Sequence, residues 1–294
     1  MATEYDYPLV SISDLPAYLT EHQSEAEMTF IVRQMGFNFP VRVRRRKGTK
    51  FLVAHYNGAV DRERAPSGIV FQRSTWHDEI DCDAVYFADP TLLPHPKLTI
   101  GWGQMSKDRW GIDGYVRILK IVRKSLSMAP PWRTIHYSSS AGGFQAIATA
   151  TLDKGSYAVA NNPQIDIAQY NPIHQRRLFK SVFNDFTGGS NTIETVPWRF
   201  NLVKLFEKES RVPRLKLAIN VLSPTDYRNQ IMHFLEQMDQ ISFAPKSQIR
   251  IDFYYDEKQG HKPLSRISTK RLLKEEQSRI CSLNTPHALS LIHI

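Results

Sequence analysis

Apolar residues recur with two different periods along the chain, and the switches between them outline its architecture. Met28 to Arg33 and Phe39 to Arg45 read as two strands joined through Gln34-Met35-Gly36-Phe37-Asn38, a hairpin turn. A short helix is expected near Leu15 to Glu21. Strands follow at Lys50 to His55, Gly68 to Gln72, Ala84 to Ala88, Leu98 to Gly101 and Thr134 to Tyr137. Between Asp113 and Ser127 the period becomes helical, with Tyr115, Ile118, Leu119, Val122 and Leu126 on one face and Lys and Arg on the other. Beyond residue 150 strands at Tyr157 to Ala160, Leu215 to Leu222 and Ile249 to Tyr255 alternate with helices near 166–183, at Tyr227 to Met238 and at Ser265 to Ser278. Such alternation predicts an α/β fold with a mostly parallel, doubly wound sheet, extended at its start by the β-hairpin. Its ligands should sit at the carboxyl ends of the strands.

The chemistry gathers at those ends. Ser138-Ser139-Ser140-Ala141-Gly142-Gly143 joins a β-branched run to the helix-forming Phe144 to Ala150. A strand, sharp turn and helix with small residues two before and two after a serine form a nucleophile elbow, and Ser138 and Gly142 single out Ser140. The alternative is an ordinary Ser- and Gly-rich junction. Asp226 and His261 each follow a later strand, giving the order Ser, Asp, His. Read blandly, Asp226 is a helix cap and His261 a surface-loop histidine. Asp166 is the rival acid, after the Tyr157–Ala160 strand. The backbone N–H of Ala141 should donate to an oxyanion, and a second donor should come from Asn57-Gly58, where glycine allows close approach.

These residues resemble the α/β-hydrolase superfamily over roughly residues 50 to 275. A narrower similarity is to hydrolase-like proteins of bacterial surface-glycan gene clusters, some of them polysaccharide O-acetyltransferases. It rests on Ala54 to Ala59, Ala88-Asp89-Pro90-Thr91, the elbow, and Asn161-Asn162-Pro163-Gln164. Ser138 departs from the usual glycine of the elbow. The resemblance implies a serine hydrolase acting on an ester, or an O-acyltransferase that passes the acyl group to a glycan. A non-catalytic binding component is the reading from a different class. In such folds the stretch between Phe183 and Pro213 forms a lid, here expected to carry Trp198, with a plain surface excursion as the alternative. Trp102 is a further candidate for lining the substrate pocket, or else plain core. The chain then divides into a β extension (1–48), a hydrolase domain (49–280) and a tail (281–294).

Composition adds limits. The 294 residues, 41% hydrophobic and 23% charged, suit a globular α/β protein. No apolar run reaches the roughly 20 residues of a membrane helix, so no membrane span is expected. The first residues lack a basic segment and an apolar core, so no secretory signal is expected. Two distant cysteines, Cys82 and Cys281, fit a reduced, cytoplasmic setting. The excess of 38 Lys and Arg over 29 Asp and Glu is partly Arg42 to Lys47, read as a solvated strand edge; with no recognition motif beside it, no nucleic-acid partner is expected. His77 with Asp78, Asp81 and Asp83 lacks a second cluster to complete a metal site, so neither metal nor cofactor is called for. The partners expected are a small ester or acyl donor, with a glycan acceptor if the chain is a transferase.

Overall fold

Nine strands form one sheet in a computed structural model that describes residues 6–243 and 248–283. In chain order they are β1 (Leu9–Ser11), β2 (Glu27–Gln34), β3 (Phe37–Arg44), β4 (Leu52–Tyr56), β5 (Asp83–Phe87), β6 (Thr134–Ser139), β7 (Tyr157–Pro163), β8 (Arg214–Asn220) and β9 (Ile249–Tyr254). The helices are α1 (Leu15–Glu21), α2 (Gly111–Ser125), α3 (Ser140–Leu152), α4 (Pro172–Leu178), α5 (Ser190–Thr195), α6 (Leu202–Glu209), α7 (His233–Asp239) and α8 (Arg266–Leu283). The spatial order is β1-β2-β3-β5-β4-β6-β7-β8-β9. β3 is antiparallel to β2 and β5, and every pair from β5 onward is parallel. The N-terminal hairpin therefore continues the main sheet. Its turn is tighter than the sequence suggests: Gln34 pairs with Phe37 around Met35 and Gly36, both at positive φ, the twist that suits a two-residue hairpin.

Period-two side chains divide between two layers. Ala54, Tyr56 and Ala160 face a core shared with Ile118, Leu119, Phe144 and Ile147 of α2 and α3. Val53, Ile135, Tyr137 and Val159 face the other way, against Leu272, Leu273 and Ile280 of α8. The central strands are buried on both sides, as parallel strands under helices must be. Of the tail from 281, the first residues complete α8, and 284–294 lie outside the described residues.

Two expected strands are absent. Gly68–Gln72 and Leu98–Gly101 are irregular. A side chain takes the place of a ladder there: the Arg62 guanidinium donates to the carbonyls of Pro66, Leu92, His95 and Leu98. The stretch from Phe183 to Pro213 is built into the body of the protein. α6 packs against α3 with Leu202, Val203, Leu205 and Phe206 buried, and Arg199 donates to the carbonyls of Gln104, Ser106, Lys107 and Arg109. The basic run is paired internally: Arg42 and Arg44 with Glu27, Arg44 also with Asp78, and Arg46 with Asp81.

Candidate active site

Ser140 sits where β6 gives way to α3 without a linking loop, and its φ of 54° is left-handed, a conformation costly for any residue but glycine. The packing around the turn explains its small residues. A Cβ on Gly142 would lie 2.3 Å from Ser138 Oγ and 2.8 Å from the Tyr56 carbonyl oxygen. Ser138 occupies the room that Gly142 leaves and donates to that carbonyl at 2.7 Å, tying the elbow to the end of β4. Serine at the first elbow position is thus a tether as well as a small residue.

Across the strand ends, Ser140 Oγ lies 2.9 Å from His261 Nε2, and His261 Nδ1 lies 2.7 and 2.8 Å from the two Asp226 oxygens. A carboxylate only accepts, so Nδ1 carries the proton, Nε2 is the free acceptor, and the serine O–H donates to it. Asp226 is 1% exposed, near the start of a π-helical segment (Thr225–Met232) that leads into α7. It does not cap that helix; its side chain is turned to the histidine. The rival, Asp166, accepts from Ala168 N–H and Asn201 Nδ2 and lies 3.3 Å from His233. It is the acid of a different cluster.

The loop bearing His261 is held by asparagines at the ends of the preceding strands. Asn220 of β8 donates to the carbonyls of Asp256 and Gly260, and Asn161 Oδ1 of β7 accepts from Leu264 N–H. Asn162 Oδ1 accepts in turn from Asn220 N–H. Gln164, just past β7, was missed as a site residue. Its Nε2 donates to Ser140 Oγ at 3.0 Å, while its Oε1 accepts from the indole N–H of Trp102. An indole nitrogen is a donor only, so Trp102 fixes which end of the amide faces the serine. Trp102 itself is fully buried at φ 50°. Its aromatic face is therefore not offered to a substrate, and it reaches the site through Gln164.

An open cleft of about 740 Å³ lies above Ser140, bounded by Gly58, Ala59, Gln72, Arg73, Trp76, Tyr170 and the His261–Pro263 segment. Gly58 N–H donates to Gln72 Oε1 at 2.9 Å, so this amide is engaged rather than open to an oxyanion. Asn57 gives its carbonyl to Gln145 and buries its side chain without a partner. Ala141, in the first turn of α3, has no helical acceptor for its N–H. Burial raises the Tyr170 phenol above its usual range, and the nearby Asp226 charge adds to this.

No family model and no curated protein matches this sequence. Solved structures do. The capsule O-acetyltransferase of Neisseria meningitidis serogroup A superposes with a TM-score of 0.58 at 13% identity, over 84% of this chain and 96% of that one. The fluorophosphonate-binding serine hydrolase FphF of Staphylococcus aureus gives 0.54 at 12%, over 87% and 98%. Porphyromonas gingivalis dipeptidyl peptidase 4 gives 0.59 at 9%, over 87% of this chain and 35% of that one. The chain has the α/β-hydrolase fold.

Within this α/β-hydrolase fold the expected lid is a correction. No residue between 183 and 213 lines the cleft, and Trp198 packs half-buried under Lys208 away from it. The aromatic residues that border the site are Trp76 and Tyr170. Neither was visible in advance, because each is carried by a segment without regular periodicity. His136, buried mid-strand, is a satisfied core residue between Tyr56 O–H and Asp153. Among the described residues, no helix is long and apolar enough to cross a membrane.

Proposed function

We propose that this chain is a serine-dependent enzyme that takes the acyl group of an ester onto Ser140. The observation that carries this reading is the continuous hydrogen-bonded line from Ser140 Oγ through His261 to Asp226, set on a left-handed elbow. His261 Nε2 takes the Oγ proton as Oγ bonds to the ester carbonyl carbon. The tetrahedral intermediate collapses, and the same proton passes to the leaving alcohol. Asp226 keeps the imidazole in the required tautomer and stabilises its cation. The acyl-enzyme is then opened by a water whose proton His261 accepts, releasing the acid. Ala141 N–H supplies one oxyanion donor. Gly58 N–H supplies the second once the substrate oxygen takes the place of Gln72 Oε1, a side-chain acceptor that can swing aside. Such a donor contributes about 3 kcal/mol to transition-state stabilisation. Gln164 and Trp102 position Oγ.

A second reading lets a glycan hydroxyl replace the water, making the chain an O-acyltransferase. What favours it is the similarity to a capsule O-acetyltransferase along 96% of that protein, together with a cleft broad enough for an acceptor. Acceptor-dependent acceleration of turnover separates the two.

The test of the shared core is intact-mass analysis after treatment with a fluorophosphonate. A single adduct on the wild type that Ser140→Ala and His261→Ala both lose is the expected outcome. No adduct on folded wild-type protein would overturn the reading and favour a binding component.

A further inference from the structure

Charge in the cleft is one-sided. The half-buried Arg73 and the exposed Lys262 line it, and neither aspartate nor glutamate does. Asp226, the nearest acid, is closed off behind His261. Elsewhere the half-buried and buried arginines have their donors taken up: Arg42, Arg44 and Arg46 meet Glu27, Asp78 and Asp81, Arg123 is clamped by Asp153, and Arg62 and Arg199 are ringed by carbonyls. Arg73 meets no carboxylate among the described residues. Its guanidinium lies over the rings of Trp76 and Tyr137, one nitrogen donates to Ser139 Oγ at 2.6 Å, and its Nε–H has no acceptor. Its backbone is left-handed, at φ 69°, so the chain accepts strain to put this side chain here. Ser139, to which it donates, directly precedes the nucleophile in the chain, and both line the same cleft as Arg73.

A half-buried, aromatic-stacked arginine bonded to the neighbour of the nucleophile, with no carboxylate partner, is suited to an oxyanion that offers two oxygens to its fork. Resting on the serine-enzyme reading above, we infer that the cleft takes an ester bearing an anionic group, carboxylate or phosphate, which Arg73 binds and Lys262 attracts. The anion completes the ion pair that the protein leaves open. Arg73 is on this view the main determinant of substrate choice.

The test uses matched aryl acetates: 4-acetoxybenzamide (neutral), 4-acetoxybenzoate and 4-acetoxyphenyl phosphate. Wild-type kcat/KM should favour one of the anionic esters over the amide by about ten- to a hundredfold, the range of a charge-assisted contact, chiefly through KM. The favoured ester tells carboxylate from phosphate. The preference should shrink as salt is raised, fall towards unity in Arg73→Gln, survive in part in Arg73→Lys, and weaken slightly in Lys262→Gln. Binding of the intact esters to Ser140→Ala, followed by calorimetry, reads the same preference without chemistry. If wild type hydrolyses the amide as readily as both anionic esters, or Ser140→Ala binds all three alike, the inference is overturned while the serine reading stands. Tighter anion binding with no ester turnover and no fluorophosphonate adduct would instead sink the serine reading alone.

Discussion

Asp226 and Asp166 are the same side chain in two settings, and the setting decides what each can do. Both follow a parallel strand, which is why the sequence offers both. Asp226 presents both oxygens to His261 Nδ1, whereas Asp166 serves Asn201 and a short turn of its own. Asn at position 226 should lower kcat for aryl ester hydrolysis by up to about 10⁴-fold, because the amide favours the wrong imidazole tautomer. Asn at position 166 should leave kcat within a few-fold, and initial rates on one aryl acetate compare the two. Equal crippling of both variants would return the acid to question. The proposed triad was suggested by the sequence because each member follows a strand of recognisable period. Trp198 misled because a tryptophan in an insertion reads the same whether it covers a cleft or packs on a helix. Arg73 could not be read at all, since its place depends on an irregular connection whose path no periodicity records.

At the scale of elements, the ends of β7 and β8 do more than stop. Asn161, Asn162 and Asn220 spend their amides on each other's backbone, on Tyr254 and on the histidine loop. A loop bearing a reacting group gains from such anchors, since its own bonds, from Lys258 and Gln259 N–H to Asp256, fix its turn but not its place over the sheet. Asn220→Ala removes the donor to two loop carbonyls. It should cut kcat/KM by about ten- to a hundredfold, the effect of a misplaced base, while the melting temperature falls by only a few degrees. Unchanged turnover would show that the loop holds its own shape. The strand and helix pattern from β6 onward was plain in the sequence, since buried parallel strands are dense in apolar residues. The misread runs at 68–72 and 98–101 are apolar too, but Arg62 satisfies the carbonyls around them, and no local signal announces a side chain that reaches across thirty residues or more.

For the molecule as a whole, burial of histidine sets the response to acid. His55 is held well below its usual range by burial, with Arg73 adding repulsion. His136 is lowered chiefly by burial, against the pull of Asp153. The unfolded chain takes up these protons as pH falls through about 6.5 and the folded chain does not, so the unfolded state binds more protons and stability falls with pH. Each such histidine steepens the decline by up to about 1.4 kcal/mol per pH unit below that point. Thermal melts between pH 7.5 and 5.5 should show the decline, and His55→Phe, which retains a ring against Tyr86, should flatten it. A slope unchanged by that substitution would place the proton uptake elsewhere. Asp153, whose own burial is outweighed by its bonds to His136 and Arg123, stays ionised through this window, and its contribution is lost only at still lower pH.

The serine and its histidine are 121 residues apart in the chain. Synthesis runs from the N-terminus, so Ser140 is made well before β9 and the loop that follows it. Until that last edge of the sheet has docked, the growing polypeptide carries an ordinary hydroxyl with nothing to accept its proton. Under the proposed chemistry the protein is therefore latent while it is being made, protected by the order of its own translation from reacting too soon.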